Sequence, residues 1–366
     1  MDVSVIVPLY KGGKYVDKIY EMINRNILYS KEKGKEFELE LIFVNDYPAE
    51  KVAIPKAENL VFVLNKNNQG IHQTRINGFK KAKGEYILFL DQDDTINDNY
   101  LYSQMMKIGL SDAIICEGFY RANKLIYGSY EKQKKAVDFL QYLSQGIVII
   151  SPGQVLLRKK IIPDNWVNNI LKYNGSDDVF LWIMLLKSNV TFTINTEPLY
   201  THVEDGTNTS TNFLNMRNSV CELKHMVLKH CELKNSEYCI FSAALDKRIN
   251  KYNQYIDIIE NWKIIMSKIY KCIGNKGEKK LAIHGYGVLG QMLLKELQKN
   301  EVVVDYVIDK NAQQYSLDFN VHSLVEIEKI KDAGIVISTV VFEKDIRKKL
   351  EDIFDNAEVI LLSDFL

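Results

Sequence analysis

The sequence predicts an α/β protein with two parallel sheets separated by a helical segment. Three observations support this prediction. Short runs of β-forming residues alternate with a helix in residues 1–90, and a strand, a glycine turn and a helix recur near residue 280. Between them, residues 213–273 show the apolar spacing of helices. Strands that alternate with helices in this way are typical of parallel, doubly wound sheets.

The first strands of the N-terminal sheet are short apolar runs that end in polar residues. The predicted elements are strand 3–7, helix 14–30, strand 39–44 and strand 60–64. The first strand ends at Pro8 and leads into Tyr10, and the second is closed by Asp46. Open α/β sheets bind ligands at the carboxyl ends of their strands, so these residues lie where a ligand is expected.

A cluster of acids is the most informative feature of the chain. The apolar run 86–90 is followed directly by Asp-Gln-Asp-Asp at residues 91–94. Three neighbouring acids repel one another unless a cation or hydrogen-bond donors compensate, and hard oxygen ligands on a short segment suit Mg²⁺ or Mn²⁺. The alternative is an acidic helix start, in which Asp94 and Thr95 cap a helix over residues 97–108.

Five segments in order resemble the inverting family 2 glycosyltransferases of the GT-A fold. They are residues 5–10, 43–46, 68–78, 84–94 and 176–182. The resemblance covers about residues 1–212 and implies a GT-A nucleotide-diphospho-sugar transferase fold there. It also implies transfer of a sugar from a nucleoside-diphosphate donor, most simply UDP-linked, onto a saccharide hydroxyl. Bacterial surface polysaccharide synthesis is the implied setting.

The resemblance implies a donor site at the strand ends. Pro8 and Tyr10 belong beside the nucleobase, and Asp46 accepts a hydrogen bond from the imide nitrogen of uracil. Arg75 belongs near the base and the diphosphate, although Ile76 stands where the family commonly has Asn. From the residues alone, Tyr10 is equally well a loop aromatic and Asp46 a turn former.

Within the acidic cluster, the resemblance implies three different roles. Asp91 lies on the ribose side, Asp93 contacts the metal directly and Asp94 orients the loop. His202, which follows a short strand at residues 198–201, corresponds to a histidine near the metal or the diphosphate. A neutral imidazole suits that role, and a polar residue at a loop entrance is the equal alternative.

A second acidic pair supplies the candidate base. Asp177 and Asp178 open an amphipathic helix that continues through Leu186. By resemblance to the Glu–Asp pair of the family, Asp178 is the general base that deprotonates the acceptor hydroxyl, and Asp177 replaces the usual Glu. The alternative is a capped helix start, since Ser176 and both acids suit a first turn.

Gly153 and the polar loop at residues 204–210 are two further candidate parts of the site. Gly153 is expected either to admit an acceptor sugar or to serve a turn that the fold alone requires. The polar loop at residues 204–210 is expected to close over the donor.

Residues 213–276 are expected to form a helical connector with basic residues on its surface. Those residues form either a solvated face or a surface that approaches anionic lipid, where a lipid-linked acceptor resides.

Residues 277–366 are expected to form a small Rossmann-like domain with four strands. A strand at residues 281–284 enters a turn that contains Gly285, Gly287 and Gly290, and the strand 302–308 ends in Asp309. This pattern is the dinucleotide-binding fingerprint: its glycines allow a tight turn and the close approach of a phosphate, and its acid binds a ribose hydroxyl. Binding of a nucleotide or dinucleotide, a scaffold and a dimerisation role all remain open.

Composition limits the classes of function. The formal net charge is +0, which argues against a nucleic-acid partner. The 5 cysteines have no paired close spacing, and no signal peptide or membrane-spanning run is recognised, so a cytoplasmic protein is expected, soluble or peripheral at the inner membrane face. Two rival functions stay open: a non-catalytic nucleotide-sugar binding protein, and an NAD(P)-linked oxidoreductase acting through the C-terminal domain. A homo-oligomer is a further expected possibility.

Overall fold

The computed structural model describes most of the chain. The described residues are 1–120, 124–145, 148–203, 212–274, 279–310, 312, 321–323, 330, 332–340, 345–354 and 356–366. They divide into two compact units, Met1–Ile249 and Asn250–Leu366. The loop at residues 204–210, for which closure over a donor is predicted, lies outside the described residues.

The first unit contains a nine-stranded sheet with helices around it. Its strands are β1 (Val3–Leu9), β2 (Leu39–Asn45), β3 (Leu60–Leu64), β4 (Tyr86–Phe89), β5 (Thr95–Ile96), β6 (Ala113–Tyr120), β7 (Lys124–Leu125), β8 (Val155–Arg158) and β9 (Phe192–His202). Its helices are α1 (Val16–Glu32), α2 (Ile71–Lys81), α3 (Tyr100–Lys107), α4 (Tyr130–Ala136), α5 (Phe139–Gln145), α6 (Asp164–Asn168), α7 (Asp177–Lys187), α8 (Phe213–His230) and α9 (Asn235–Glu260), the last continuing into the second unit.

The strand order of this sheet is β3-β2-β1-β4-β8-β6-β9-β5, with β7 paired to β6. Strands β3, β2, β1 and β4 run parallel, and β8 is antiparallel to both of its neighbours. All residues of β1 and β2 are buried, as expected for parallel strands covered on both faces.

Two predicted strand limits are wrong. Pro8 lies inside β1 instead of ending it, because β4 pairs only with Val3–Ile6 and the missing N–H of Pro8 interrupts no bond on that side. Strand β9 starts at Phe192 and includes His202, because it pairs with β6 along its length. Such pairing depends on residues far apart in sequence and leaves little local signal.

The second unit contains a parallel five-stranded sheet. Its elements are α10 (Trp262–Gly274), β10 (Lys280–His284), α11 (Val288–Lys299), β11 (Tyr306–Ile308), β12 (Val321–His322), β13 (Ala333–Ser338), α12 (Ile346–Ile353) and β14 (Glu358–Leu361). The order is β12-β11-β10-β13-β14. Alternate residues of β10 enter two apolar clusters, with Leu281 and Ile283 in one and Ala282 in the other.

The prediction of four strands in this unit misses β12, which contributes only two residues. The predicted strand 302–308 is also too long, since β11 begins at Tyr306. Just before β11, Asp305 contacts β10 through both its backbone and its side chain: its N–H donates to the Leu281 carbonyl at 2.9 Å, and its carboxylate accepts the Leu281 N–H at 2.8 Å. Within the described ranges, no helix is long and apolar enough to cross a bilayer.

Candidate active site

The acidic segment 91–94 is anchored by Asp94, which is buried. Its Oδ2 accepts the hydroxyl of Ser151 at 3.0 Å and the phenol of Tyr200, and its Oδ1 accepts the N–H of Val203 at 3.0 Å. The Nδ1 of His202 also lies 3.0 Å from Oδ1. Four groups from two distant segments therefore fix the orientation of this loop.

These contacts decide against the interpretation of Asp94 and Thr95 as helix caps. Thr95 lies in β5, and α3 begins only at Tyr100, with Asn99 at the cap position. The start of a helix therefore does not explain the acids at residues 91–94.

Arg75 is a buried ion-pair centre. Its Nη2 donates to Asp91 Oδ1 and its Nη1 to Asp177 Oδ2, each at 2.5 Å. Burial opposes the charge of the guanidinium, but the carboxylates of Asp177, Asp91 and Asp178 raise its pKa above the usual value. Arg75 was predicted to contact the donor diphosphate. In the structure it joins Asp91, just after β4, to Asp177 at the start of α7.

Asp93 lies in a strongly negative environment. Burial, and after it the charges of Asp94 and Asp91, together raise its pKa to about 7, while His202 acts in the opposite direction. Burial also raises the pKa of Asp91, against the lowering effect of Arg75. The negative charge here is compatible with a bound cation.

Asp178 has the properties expected of a base. Burial, and after it the charge of Asp177, together raise its pKa to about 7, against the lowering effect of Arg75. Its Oδ1 accepts the Val179 N–H at 2.8 Å, so it also satisfies one N–H of the first turn of α7. Ser176 forms no side-chain cap on this helix, and its hydroxyl accepts a hydrogen bond from Ser219 at 2.8 Å.

An aromatic and cationic surface lies at the end of β1. The ring of Tyr10 is 46% exposed and meets Tyr47 edge-on, with the ring centroids 5.4 Å apart. Lys11 Nζ lies 5.7 Å from the first ring and 5.3 Å from the second. Gln92 Oε1 accepts the Tyr10 N–H at 3.0 Å. Tyr47 and Lys11 were not predicted as site residues, and their only signal in the sequence is that they directly follow Asp46 and Tyr10.

Asp46 organises the neighbouring loop. Its Oδ1 accepts Asn65 Nδ2 and the Gln69 N–H, both at 2.8 Å, and its Oδ2 accepts the Gly70 N–H at 2.9 Å. A carboxylate has about four acceptor positions, so these three donors leave one for a ligand. Pro8 is buried in β1 and contributes no exposed surface at this edge.

Gly153 is explained by packing. A Cβ at this residue would lie 2.8 Å from the ring of Tyr200 and 3.2 Å from Leu90. The expectation that Gly153 admits a sugar is therefore wrong, and the alternative of a glycine required by the fold is correct.

His202 stacks on Tyr120, with the ring centroids 5.5 Å apart and an interplanar angle of 3°. Its Nδ1 faces Asp94, so Nε2 is the ring nitrogen that points away from this carboxylate. Across the described parts of the chain, no group of three or more His, Cys, Asp or Glu side chains is arranged to hold a metal by itself.

Residues 4–166 match the family model described as Glycosyl transferase family 2. This part of the chain, under half of its length, is similar to family 2 glycosyltransferases. The GT-A type of α/β fold predicted for the N-terminal part is thereby confirmed. The family 2 match ends inside the first unit and leaves the whole second unit unmatched.

Several known proteins are similar to part of the chain. Glycosyltransferase GlyG of Streptococcus pneumoniae is 30% identical over 124 residues, which are 32% of this chain and 38% of GlyG. Minor teichoic acid biosynthesis protein GgaB of Bacillus subtilis is 34% identical over 104 residues, 26% of this chain and 11% of GgaB. The chain thus spans well under half the length of these relatives. The crystal structure of S. aureus TarS 1-349 in complex with UDP-GlcNAc aligns with a TM-score of 0.48 and 19% identity, covering 67% of this chain and 72% of that one.

The glycine turn of the second unit lies between β10 and α11. Gly285 has a φ of +90°, which favours glycine, and a Cβ on Gly290 would lie 1.9 Å from the Gly285 carbonyl oxygen. A Cβ on Gly287 would meet no atom within 4 Å. Asp309 Oδ2 accepts the Tyr286 N–H at 2.7 Å. Gly285 is therefore required by the turn and Gly290 by close packing, whereas Gly287 faces open space.

Proposed function

We propose that this protein is a metal-dependent inverting glycosyltransferase, which transfers a sugar from a UDP-linked donor to a saccharide hydroxyl. The observation that carries the proposal is the position of Arg75 between Asp91 and Asp177. It joins the acidic segment after β4 to the helix that presents Asp178. One guanidinium thereby holds a donor-side acid and Asp177, the neighbour of the candidate base.

The donor nucleotide would lie against the end of β1. The exposed ring of Tyr10 offers a stacking face to uracil, and Asp46 has one acceptor position left for the imide N–H. Lys11, close to both tyrosine rings, adds positive charge for the diphosphate. Asp91 supplies a carboxylate for the ribose hydroxyls.

The residues present fit a divalent cation. Asp93 provides a hard oxygen in a negative environment. The Nδ1 of His202 faces Asp94, and carboxylates that do not touch the metal commonly orient metal-binding histidines in this way. With few protein ligands, Mn²⁺ or Mg²⁺ would take its other ligands from phosphate and water. When bound, the ion would stabilise the charge that develops on the departing diphosphate.

Asp178 would then accept the proton of the attacking acceptor hydroxyl. The acceptor oxygen forms a bond to the anomeric carbon while the bond from that carbon to the phosphate oxygen breaks. The electron pair leaves with the nucleoside diphosphate, and this single displacement inverts the anomeric carbon. A base with a pKa of about 7 is suited to neutral pH.

We further propose bacterial surface polysaccharide synthesis as the setting. The relative GgaB is named for teichoic acid biosynthesis, and TarS of Staphylococcus aureus, 31% identical over 107 residues, for N-acetylglucosamine transfer to poly(ribitol-phosphate). All five cysteines are free thiols, which supports a reducing, cytoplasmic location. A lipid-linked acceptor at the inner membrane face and a homo-oligomer remain parts of the proposal.

A nucleotide or dinucleotide is the second proposed ligand, bound by the Rossmann-like C-terminal part. The open space at Gly287 at the start of α11 favours it, because phosphate groups approach a helix N-terminus through such a gap. A gain in NAD(P)H absorbance when NAD(P)⁺ and a hydroxy substrate are supplied would favour the oxidoreductase alternative instead.

The decisive experiment is calorimetric titration of UDP into the whole protein, with Mn²⁺ and then with EDTA. Wild type should bind UDP only with the metal, and Asp93→Ala should lose that binding while remaining folded. Asp98→Ala, which removes an exposed acid that pairs with Arg25, is the matched control and should bind normally. UDP binding that is unchanged by EDTA and by Asp93→Ala would refute the metal assignment.

Turnover is tested separately. UDP release from UDP-sugars, with water or a saccharide as acceptor, distinguishes a transferase from a non-catalytic nucleotide-sugar binder. Binding without any release across a panel of UDP-sugars would favour the binder.

A further inference from the structure

The first unit contains a cavity of about 410 Å³ next to the loop that Asp46 organises. It is lined by Asn68, Gln69, Gly70, Ile170, Leu171, Lys172, Asn174 and Asn215. Its volume lies within the usual range of small-molecule sites. The side chains assigned above to the donor do not line it, so it is available for a different ligand.

The lining favours a neutral, hydroxyl-rich ligand. Four carboxamide side chains contribute, and each can both donate and accept hydrogen bonds, as sugar hydroxyls do. Ile170 adds an apolar surface that suits the C–H face of a sugar ring, whereas the side chain of Leu171 is only 2% exposed. Among the described lining residues, Lys172 is the one cation and no aromatic ring contributes. A nucleobase or a diphosphate would be poorly matched by such a wall.

The wall formed by residues 170–174 is held from α8. The carboxylate of Glu222 accepts the N–H groups of Lys172 and Tyr173 at 2.9 and 3.0 Å. Asn215 Nδ2 donates to the Asn174 carbonyl at 2.8 Å. These bonds fix the backbone of the wall before any ligand arrives, which lowers the entropic cost of binding.

The opposite wall is tied to the same segment. Asn174 Oδ1 accepts the N–H of Ile71 at 3.0 Å, and the Leu171 N–H donates to His72 Nδ1 at 3.0 Å. Burial lowers the pKa of His72 to about 4, so its ring stays neutral and accepts that bond at neutral pH. Both walls of the cavity are therefore preformed.

The cavity is adjacent to the candidate base in sequence. Asn174 lies four residues before Asp178, and the segment that forms the wall continues directly into α7. On the other wall, α2 carries Arg75, which pairs with Asp177 at the start of the same helix. A ligand held here would lie on the side of the site from which the base is presented.

We propose that this cavity is an acceptor subsite that binds a neutral sugar residue of the saccharide acceptor. The proposal rests on the glycosyl-transfer function proposed above. It assigns the carboxamides of the cavity to recognition of sugar hydroxyls, separately from the donor residues at the ends of β1 and β4.

Saturation-transfer NMR on the full chain tests the subsite, with glucose, galactose and N-acetylglucosamine as probes. At least one sugar should give a signal with wild type, with and without UDP and Mn²⁺. Ile170→Trp, which fills the cavity, should weaken that binding by at least about tenfold. If this variant fails to fold, Lys172→Met tests the same wall and should weaken binding in the same direction.

Two matched variants serve as controls. Leu214→Trp adds the same ring at an exposed residue of α8 beside Asn215, and Lys66→Met removes an exposed lysine near Asn68; neither residue lines the cavity. Both should bind the probe sugar like wild type.

The outcomes separate this proposal from the donor assignment. Absence of any sugar signal, or a signal unaffected by Ile170→Trp and Lys172→Met, overturns the subsite. Displacement of the sugar by UDP and Mn²⁺, or loss of UDP binding in Ile170→Trp, also overturns it and assigns the cavity to the donor. Cavity-dependent sugar binding without UDP binding would support the subsite and refute the UDP donor.

Discussion

The pH dependence of turnover should report the ionisation of Asp178. The base must be ionised to accept a proton, so the rate rises with pH through the pKa and levels off above it. With a pKa of about 7, about one carboxylate in eleven is ionised at pH 6 and about ten in eleven at pH 8. The turnover number should therefore rise about tenfold between these two pH values.

Asp178→Asn should remove this inflection and slow turnover by about 10²–10⁴-fold, which corresponds to about 3–5 kcal/mol of transition-state stabilisation. The size of the side chain is kept, so UDP binding should be close to that of wild type. Asp164→Asn is the matched control, because Asp164 is an exposed acid in the first turn of α6.

The assay is the initial rate of UDP release from a UDP-sugar at saturating donor and Mn²⁺, followed from pH 5.5 to pH 8.5. Saturating metal keeps Asp93, whose pKa is also about 7, from dominating the profile. A flat profile in wild type, or the same inflection in Asp178→Asn, would show that another group is the base. A loss confined to donor affinity would lead to the same conclusion.

Other predictions concern the ion pairs of Arg75, the tyrosine surface proposed to stack on uracil, and the glycine turn of the second unit. Arg75→Met leaves two carboxylates without their partner and should lower the free energy of unfolding by about 3–5 kcal/mol, measured by urea denaturation. Tyr10→Ser should weaken UDP binding by about 1–2 kcal/mol in calorimetry, whereas Tyr130→Ser, at another exposed tyrosine, should not. Gly287→Val should keep the thermal transition of wild type and lose any nucleotide binding of the second unit. Gly290→Ala should lower that transition, because its Cβ would meet a carbonyl oxygen; unchanged melting would contradict the packing argument.

The N-terminal strands and the acidic motifs could be predicted because their signals are local. Apolar runs followed by acids at residues 46 and 91–94 mark strand ends, and the structure brings those ends to one edge. The family resemblance added an order of segments, which single motifs lack. The two acids of residues 177 and 178 were recognised for the same reason.

Contacts between distant segments could not be predicted in this way. Arg75 meets Asp177 across 102 positions of sequence, and Tyr200 meets Asp94 across 106. Glu222 holds the cavity wall from a helix that the sequence indicated only as a connector. Their partners depend on the completed fold, and the residue types alone are compatible with many surface roles.

The ion pairs of Arg75 also bear on how this chain can change over generations. The acids that it holds come from the end of β4 and the start of α7, so either segment exchanged with that of a relative must still present a carboxylate to the same guanidinium. A hybrid protein that lacks one of these two carboxylates would leave the buried guanidinium of Arg75 with only one partner. Substitutions at Asp91 and Asp177 should therefore show non-additive effects.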